Sequence, residues 1–218
     1  MGKGFRAALL VALALAAASC SSGGDSTAAP KGGCEEVLGE AGVGWVGQKS
    51  GRELTAEESA GPVDLKGARV DYYEQLKAYD PDEEHSGTEL CSIRRYESGK
   101  ERAFTVEFGP SSTGFDFKVD GVGGEKTANL NADVRLHQRK TVNGVEQYGV
   151  YVRCKIPGTP PRQLDRTPLA GVMTDTLTGD SSARTHMKQL LYAARTMVRA
   201  LDCDNKPVVP ADPPSSVL

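Results

Sequence analysis

Asp133-Val-Arg-Leu-His-Gln-Arg-Lys140, then Thr141-Val-Asn-Gly-Val145, then Glu146-Gln-Tyr-Gly-Val-Tyr-Val-Arg-Cys-Lys-Ile156 is the stretch that decides the fold. Two runs of alternating residues flank Asn143-Gly144, and Asn-Gly between such runs is a strong hairpin signal. In the second run Tyr148, Val150, Val152, Cys154 and Ile156 point one way, while Tyr151, Arg153 and Lys155 point the other. One-sided alternation predicts an antiparallel sheet with a single covered face.

Upstream, Leu90–Glu97 and Arg102–Phe108 flank the short turn Ser98-Gly99-Lys100 and read as a second hairpin, with Phe104, Val106 and Phe108 on one side. Phe115-Asp-Phe-Lys-Val119 alternates and reads as a further strand, ended by Gly121-Val-Gly-Gly124. Downstream, Pro157-Gly-Thr-Pro-Pro161 breaks the ladder. Leu169–Leu177 reads as a sixth strand at the sheet edge, although Thr167-Pro168 equally suits a helix start.

Ser182–Leu201 is the clearest helix. Ala183, Met187, Leu190, Leu191, Ala194, Val198 and Leu201 make one apolar stripe. Asp180, Ser181 or Ser182 can cap its start. The stripe calls for a seat on the sheet's apolar face. Three features precede the sheet. Cys34-Glu-Glu-Val-Leu opens a short helix limited by Gly42 and Gly44, with Trp45 seated against the core. Thr55-Ala-Glu-Glu-Ser-Ala60 is a capped turn. Val63–Tyr79 is a second helix, with Val70, Tyr73, Leu76 and Tyr79 in line, stopped by Asp80-Pro81. The expected fold is α+β: an antiparallel sheet of about five or six strands with a long C-terminal helix on one face, forming one domain over 34–206. The tail 207–218 is proline-rich and expected to be extended or disordered.

The N-terminus sets the address. Lys3 and Arg6 precede an apolar run, Ala7–Ala18, of about twelve residues, where a bilayer core needs roughly 20. Residues 1–19 therefore read as a signal peptide and not as a membrane helix. Ala17-Ala18-Ser19-Cys20 resembles the lipobox of bacterial lipoproteins. The resemblance implies that Cys20 becomes the acylated first residue of the mature chain, with the bilayer as its partner. Residues 20–33, small and polar, make a flexible tether. Loss of Lys3 and Arg6 with no acid would take the formal charge from −3 to −5. A mildly acidic chain has no electrostatic case for nucleic acid.

Cys34, Cys91, Cys154 and Cys203 remain, an even number in an exported chain, and read as two disulfides. Of the three connectivities the preferred one is Cys34–Cys91 with Cys154–Cys203, because each bridge then closes over one helix and ends at a strand. A four-thiolate zinc site lacks any C-x₂-C pair.

Catalytic chemistry finds no foothold. His85, His137 and His186 are widely separated and read as solvated, and no G-x-S-x-G elbow is present. In Gly121-Val-Gly-Gly-Glu-Lys-Thr127 a glutamate breaks the phosphate-loop spacing. Asp80-Pro-Asp-Glu-Glu-His85 fails the calcium-loop template and reads as a solvated loop. No catalytic residue, metal site or cofactor is expected.

Lipobox, polar tether, cysteine before a helix, cysteine in the first strand, cysteine in a late strand, long helix and final cysteine form a layout. This layout resembles small actinobacterial (high-GC Gram-positive) cell-envelope lipoproteins of the domain-of-unknown-function type. The resemblance implies lipid anchoring at the extracytoplasmic face of the cell membrane and a non-enzymatic interaction or envelope-assembly role with an envelope protein. The alternative is a carrier for a small apolar ligand in a cavity between sheet and helix, lined by Trp45, Phe115 and Phe117. An enzyme ranks third.

Overall fold

The computed structural model describes residues 33–77, 84–119 and 124–215. Cys20, the signal peptide, the tether, Tyr79, Asp80–Glu83 and Gly121–Gly123 therefore lie outside the described residues.

The deciding hairpin forms where the alternation places it. Strands β4 (Val134–Lys140) and β5 (Glu146–Val152) pair from Lys140 opposite Glu146 to Val134 opposite Val152. Gly144 adopts φ 77°, the left-handed region that favours glycine, and its N–H donates to the Thr141 carbonyl at 2.9 Å. The register stacks Leu136 against Val150 and Val134 against Val152, all fully buried. The first hairpin is equally plain: β1 (Thr88–Glu97) and β2 (Lys100–Pro110) turn at Ser98-Gly99.

The six strands run in the order β1-β2-β6-β5-β4-β3, every pair antiparallel. Here β3 is Lys126–Asn129 and β6 is Leu169–Asp175. Segment 169–175 is thus a strand, but a central one and not the edge. It pairs with β2 from Phe104–Asp175 to Pro110–Leu169, and with β5 from Gln147–Thr174 to Val152–Leu169. Leu169, Gly171 and Met173 face the core, and Ala170 and Val172 the other side.

Phe115–Val119 is not a strand. The Phe115 N–H donates to the Asp165 carbonyl at 2.7 Å, so its backbone is spent on a loop. Its ring lies buried beneath the Arg153 guanidinium, 4.1 Å from the ring centroid. The strand in that part of the chain is Lys126–Asn129, too polar to show a pattern. Between β5 and β6 the chain holds a single short turn of helix, α3 (Gln163–Arg166). Fully buried Gln163 closes that loop, accepting from the Ile156 N–H at 2.9 Å and donating to the Cys154 and Thr167 carbonyls at 3.2 and 3.0 Å.

Helix α4 (Ala183–Leu201) packs on β5, β6 and α1. Ser182 caps it, its hydroxyl accepting from the Thr185 N–H at 3.2 Å. Met187, Leu190, Leu191 and Leu201 are fully buried, each contributing roughly 1.5–3 kcal/mol of transfer free energy. Helix α1 (Gly33–Lys49) is longer than expected and runs through Gly42 and Gly44. It kinks at Gly39, at φ 71°, where a Cβ would meet the Tyr192 hydroxyl of α4 at 2.7 Å. Helix α2 (Leu65–Lys77) buries Ala68, Tyr72 and Leu76, a spacing of four. Of the expected line, Leu76 is buried and Tyr73 packs against the core, whereas Val70 is 53% exposed. The Thr55–Glu58 capped turn forms reciprocally: the Glu58 N–H donates to Thr55 Oγ1 at 3.2 Å, and the Thr55 N–H to Glu58 Oε2 at 3.0 Å.

Cys34–Cys91 ties α1 to β1, and Cys154–Cys203 ties the end of β5 to the end of α4. This is the pairing preferred from the sequence. The tail over 207–215 is extended, one of the two expected outcomes, and is held down. Val209 is buried, Arg195 donates to the Pro210 carbonyl at 2.7 Å, Arg184 to the Pro214 carbonyl at 2.9 Å, and Lys188 pairs with Asp212 at 2.9 Å.

Candidate functional site

Helices cover one face of the sheet. The other face is shaped by the register. One row across it reads Glu107 (β2), Val172 (β6), Gly149 (β5), His137 (β4); the next reads Gly109, Ala170, Tyr151, Arg135. Short side chains therefore collect at Gly109, Ala170, Val172 and Gly149, with Glu107 on one side of them and His137, Tyr151 and Arg135 on the other. The result is a cleft of about 310 Å³ with a floor of Gly109, Gly149, Ala170 and Val172. The Cα atoms of Glu107 and His137 lie three strand spacings apart, about 14 Å.

Loops finish the walls. Ser111 Oγ donates to the Thr113 carbonyl at 2.7 Å and accepts from the Thr113 N–H at 2.9 Å, which fixes the loop beside Gly109. Ser112 Oγ accepts from the His85 N–H at 2.8 Å and so clasps the 84–87 segment against the cleft. On the far side Phe117 covers His137 and Tyr151, with ring centroids 5.3 and 4.8 Å apart. The Arg135 guanidinium caps Phe117 at 4.3 Å.

Two wall groups lack partners. No described residue hydrogen-bonds or ion-pairs with the Glu107 carboxylate. Burial, aided by Glu89, pushes its pKa up, and Arg94 only partly offsets this. His137 is 7% exposed. Its Nε2 lies 3.5 Å from Glu125 Oε1, within ion-pair distance, yet makes no hydrogen bond. Burial lowers the His137 pKa, with help from Arg139 and Arg135, and Glu125 only partly offsets this.

The expectation of three solvated histidines fails for two of them. His137 does stand on the outward face of its strand, but Phe117 shuts it from solvent. His186 is 1% exposed, on the core side of α4. Its Nε2 lies 2.8 Å from Asp175 Oδ2, and its Nδ1 2.8 Å from the Ser182 carbonyl oxygen. The two contacts seat the ring between the end of β6 and the first turn of α4. Tyr148 stacks on the ring at 4.5 Å and Trp45 meets it edge-on at 5.2 Å. His85 is partly exposed at the cleft rim, its Nε2 without a partner.

Trp45 and Phe117 are on opposite faces of the sheet, so the aromatics expected to line one cavity do not meet. Trp45 packs on Phe104 and His186, half-buried against the core as expected. Core side chains such as Phe104, Met173, Met187 and Leu190 fill the space between sheet and helices. Among the described residues no group of three or more His, Cys, Asp or Glu side chains is placed to hold a metal. Also among them, no helix is long and apolar enough to cross a membrane. Sequence reasoning missed Glu107 as a site residue. In Phe104-Thr-Val-Glu-Phe108 it is one polar position in a clean alternation, and nothing local separates cleft from solvent.

Fold and bridges together define an α+β domain stapled by two buried disulfides, consistent with an oxidising, extracytoplasmic environment. Comparison with family models, curated proteins and solved structures gives no match to this chain.

Proposed function

We propose that the protein is a non-enzymatic binding lipoprotein, held on the extracytoplasmic face of the cell membrane by acylated Cys20, that engages its envelope partner or ligand through the sheet face opposite the helices. The observation that carries this reading is the cleft on that face, walled by the half-buried Glu107 carboxylate, which has no hydrogen bond or ion pair to a described residue, and by His137, whose Nε2 is buried without a hydrogen bond. Buried polar groups are ordinarily satisfied, and exceptions collect at sites that receive something else. On the opposite face Phe104, Met173, Met187 and Leu190 belong to one packed core, which favours this reading over an apolar carrier. The charge balance and the lipobox resemblance agree with a membrane-tethered domain that stands off the bilayer on residues 20–33.

Photo-crosslinking in intact cells tests it. A benzoylphenylalanine at Gln147, on the cleft wall, is expected to capture a partner or ligand. The same group at Lys188, on the outer side of α4, is expected to capture none. Capture at Lys188 alone would overturn the reading.

A further inference from the structure

We propose that the open-face cleft binds a short zwitterion, a dipeptide with free termini, its ammonium group set against Glu107 and its carboxylate against Arg139. This inference rests on the binding reading above and narrows it to a ligand class.

The two walls carry opposite charge. On the β1–β2 side Glu89, Glu101 and Glu107 share the face with one guanidinium, Arg94, which pairs at 2.9 Å with both Glu89 and Glu101. Glu107 is left over. It is half-buried and lines the cleft, with no hydrogen bond or ion pair to a described residue. On the β4 side Arg139 and Arg135 share the face, and neither has an ion pair among the described residues. Arg135 is turned to Phe117, the Phe115 carbonyl and Thr127 Oγ1. Arg139 lines the cleft and donates through Nε to Gln147 Oε1 at 2.8 Å, a neutral acceptor that leaves the guanidinium charge in place. The acid on this side, Glu125, lies beside His137 at 3.5 Å.

Such a cleft selects against most ligands. An anion is repelled by Glu107, a cation by Arg139, and an uncharged molecule covers both charges without pairing either. A ligand that carries both charges, in the order the walls dictate, answers each with a charge-assisted hydrogen bond. Spacing sets its length. Arg139 is level with Gln147, Thr174 and Thr105, one row from Glu107, so the two Cα atoms lie about 16 Å apart. Arg139 leans towards β5 through its bond to Gln147. Two side chains of several bonds, about 1.5 Å each, reaching inward from the walls reduce the gap to the span of an extended dipeptide, roughly 7 Å. Size agrees: a cleft of about 310 Å³ stands at the low end of small-ligand sites, which run roughly 300–1,000 Å³. The short floor residues Gly149 and Ala170 leave height for a peptide unit between the charged ends, and Val172 and Tyr151 give it apolar contact.

The test uses the full mature lipoprotein in detergent micelles, read by titration calorimetry. The probes are alanyl-alanine in its L,L and D,D forms, N-acetyl-alanyl-alanine, alanyl-alanine amide, free alanine, and glycerophosphoethanolamine, a zwitterion with the charges of a lipid headgroup. One form of alanyl-alanine is expected to bind. Capping either of its ends should weaken it about tenfold or more, the loss of one charge-assisted contact. Glu107→Gln should erase the preference for the free amino group over the acetylated one. Arg139→Gln should erase the preference for the free carboxylate over the amide. Val142→Ala, on a fully exposed turn, should leave both preferences unchanged. Glu107 is half-buried and Arg139 exposed, so neither substitution opens the core, and thermal unfolding of each variant checks its fold. No binding of alanyl-alanine, equal binding of its capped forms, preferences indifferent to the two substitutions, or tighter binding of alanine or glycerophosphoethanolamine would overturn the proposal. If dipeptides fail while the Gln147 crosslinker still captures a protein, the ligand class is wrong and the binding reading stands.

Discussion

His186 Nε2 on α4 lies 2.8 Å from Asp175 Oδ2 at the end of β6, and the two side chains are 1% and 3% exposed. The Asp175 carboxylate also accepts from the Leu177 and Thr178 N–H groups at 2.8 and 2.9 Å and from the Thr178 hydroxyl. The contact joins the first turn of the covering helix to the central strand, so it fixes where α4 sits on the sheet.

Breaking it from one side leaves a buried polar group without its partner. Asp175→Ala is expected to destabilise the domain by roughly 3–5 kcal/mol, read as the shift in a urea unfolding midpoint. In a double-mutant cycle with His186→Phe the second change should cost much less than it does alone. Additive losses would mean that the two residues act separately.

Acid should unfold the protein through the same group. Burial pushes the Asp175 pKa up, but the hydrogen bonds from His186, Thr178 and Leu177 outweigh it and hold the folded value below the usual 3.8. A depressed carboxyl stabilises above its unfolded value and loses that contribution as pH falls through the folded one. Thermal midpoints should therefore hold as pH falls to the region of 4 and drop steeply below it. Asp175→Asn should flatten that drop.

Glu107 carries the opposite sign. Its folded pKa lies above the ordinary 4.5 because burial disfavours the charge. The folded state is therefore penalised as pH rises through that raised value, and the penalty is fully present at neutral pH. Glu107→Gln is expected to raise the unfolding midpoint at pH 7 and to leave it unchanged at pH 4. A stability cost retained on the wall of a cleft is what a binding residue would show.

Both bridges tie helices to the sheet. Replacing Cys154 and Cys203 together by Ser should cost roughly 4 kcal/mol on the chain-entropy account. It should also loosen the end of α4, which hydrogen exchange at Val198–Leu201 would detect. All four cysteines are buried, so reduction in the native state should be slow without denaturant.

Much of the architecture is local and was legible. The Asn143-Gly144 hairpin, the Ser98-Gly99 hairpin, the α4 stripe and the Thr55–Glu58 cap each rest on residues a few positions apart. Relations between distant segments were not legible. The place of β6 depends on partners such as Glu107 and Gly149, far away in sequence, and its alternation would suit an edge or a centre alike. Lys126–Asn129 became a strand through pairing with β4, with no apolar pattern of its own. The cleft needed Gly109, Gly149 and Ala170 from three strands to come side by side. The burial of His137 and His186 depended on Phe117 and Asp175 arriving from elsewhere.

The central claim is a binding domain tethered by lipid on the outer side of the cell membrane, and the intact mass of the chain purified from its native membrane tests it most directly. The account predicts a chain that begins at Cys20, carries the added mass of a diacylglyceryl group at that residue, and is four hydrogens lighter than its reduced form for its two disulfides. A chain that retains residues 1–19, or one that begins at an unmodified Cys20, would contradict it.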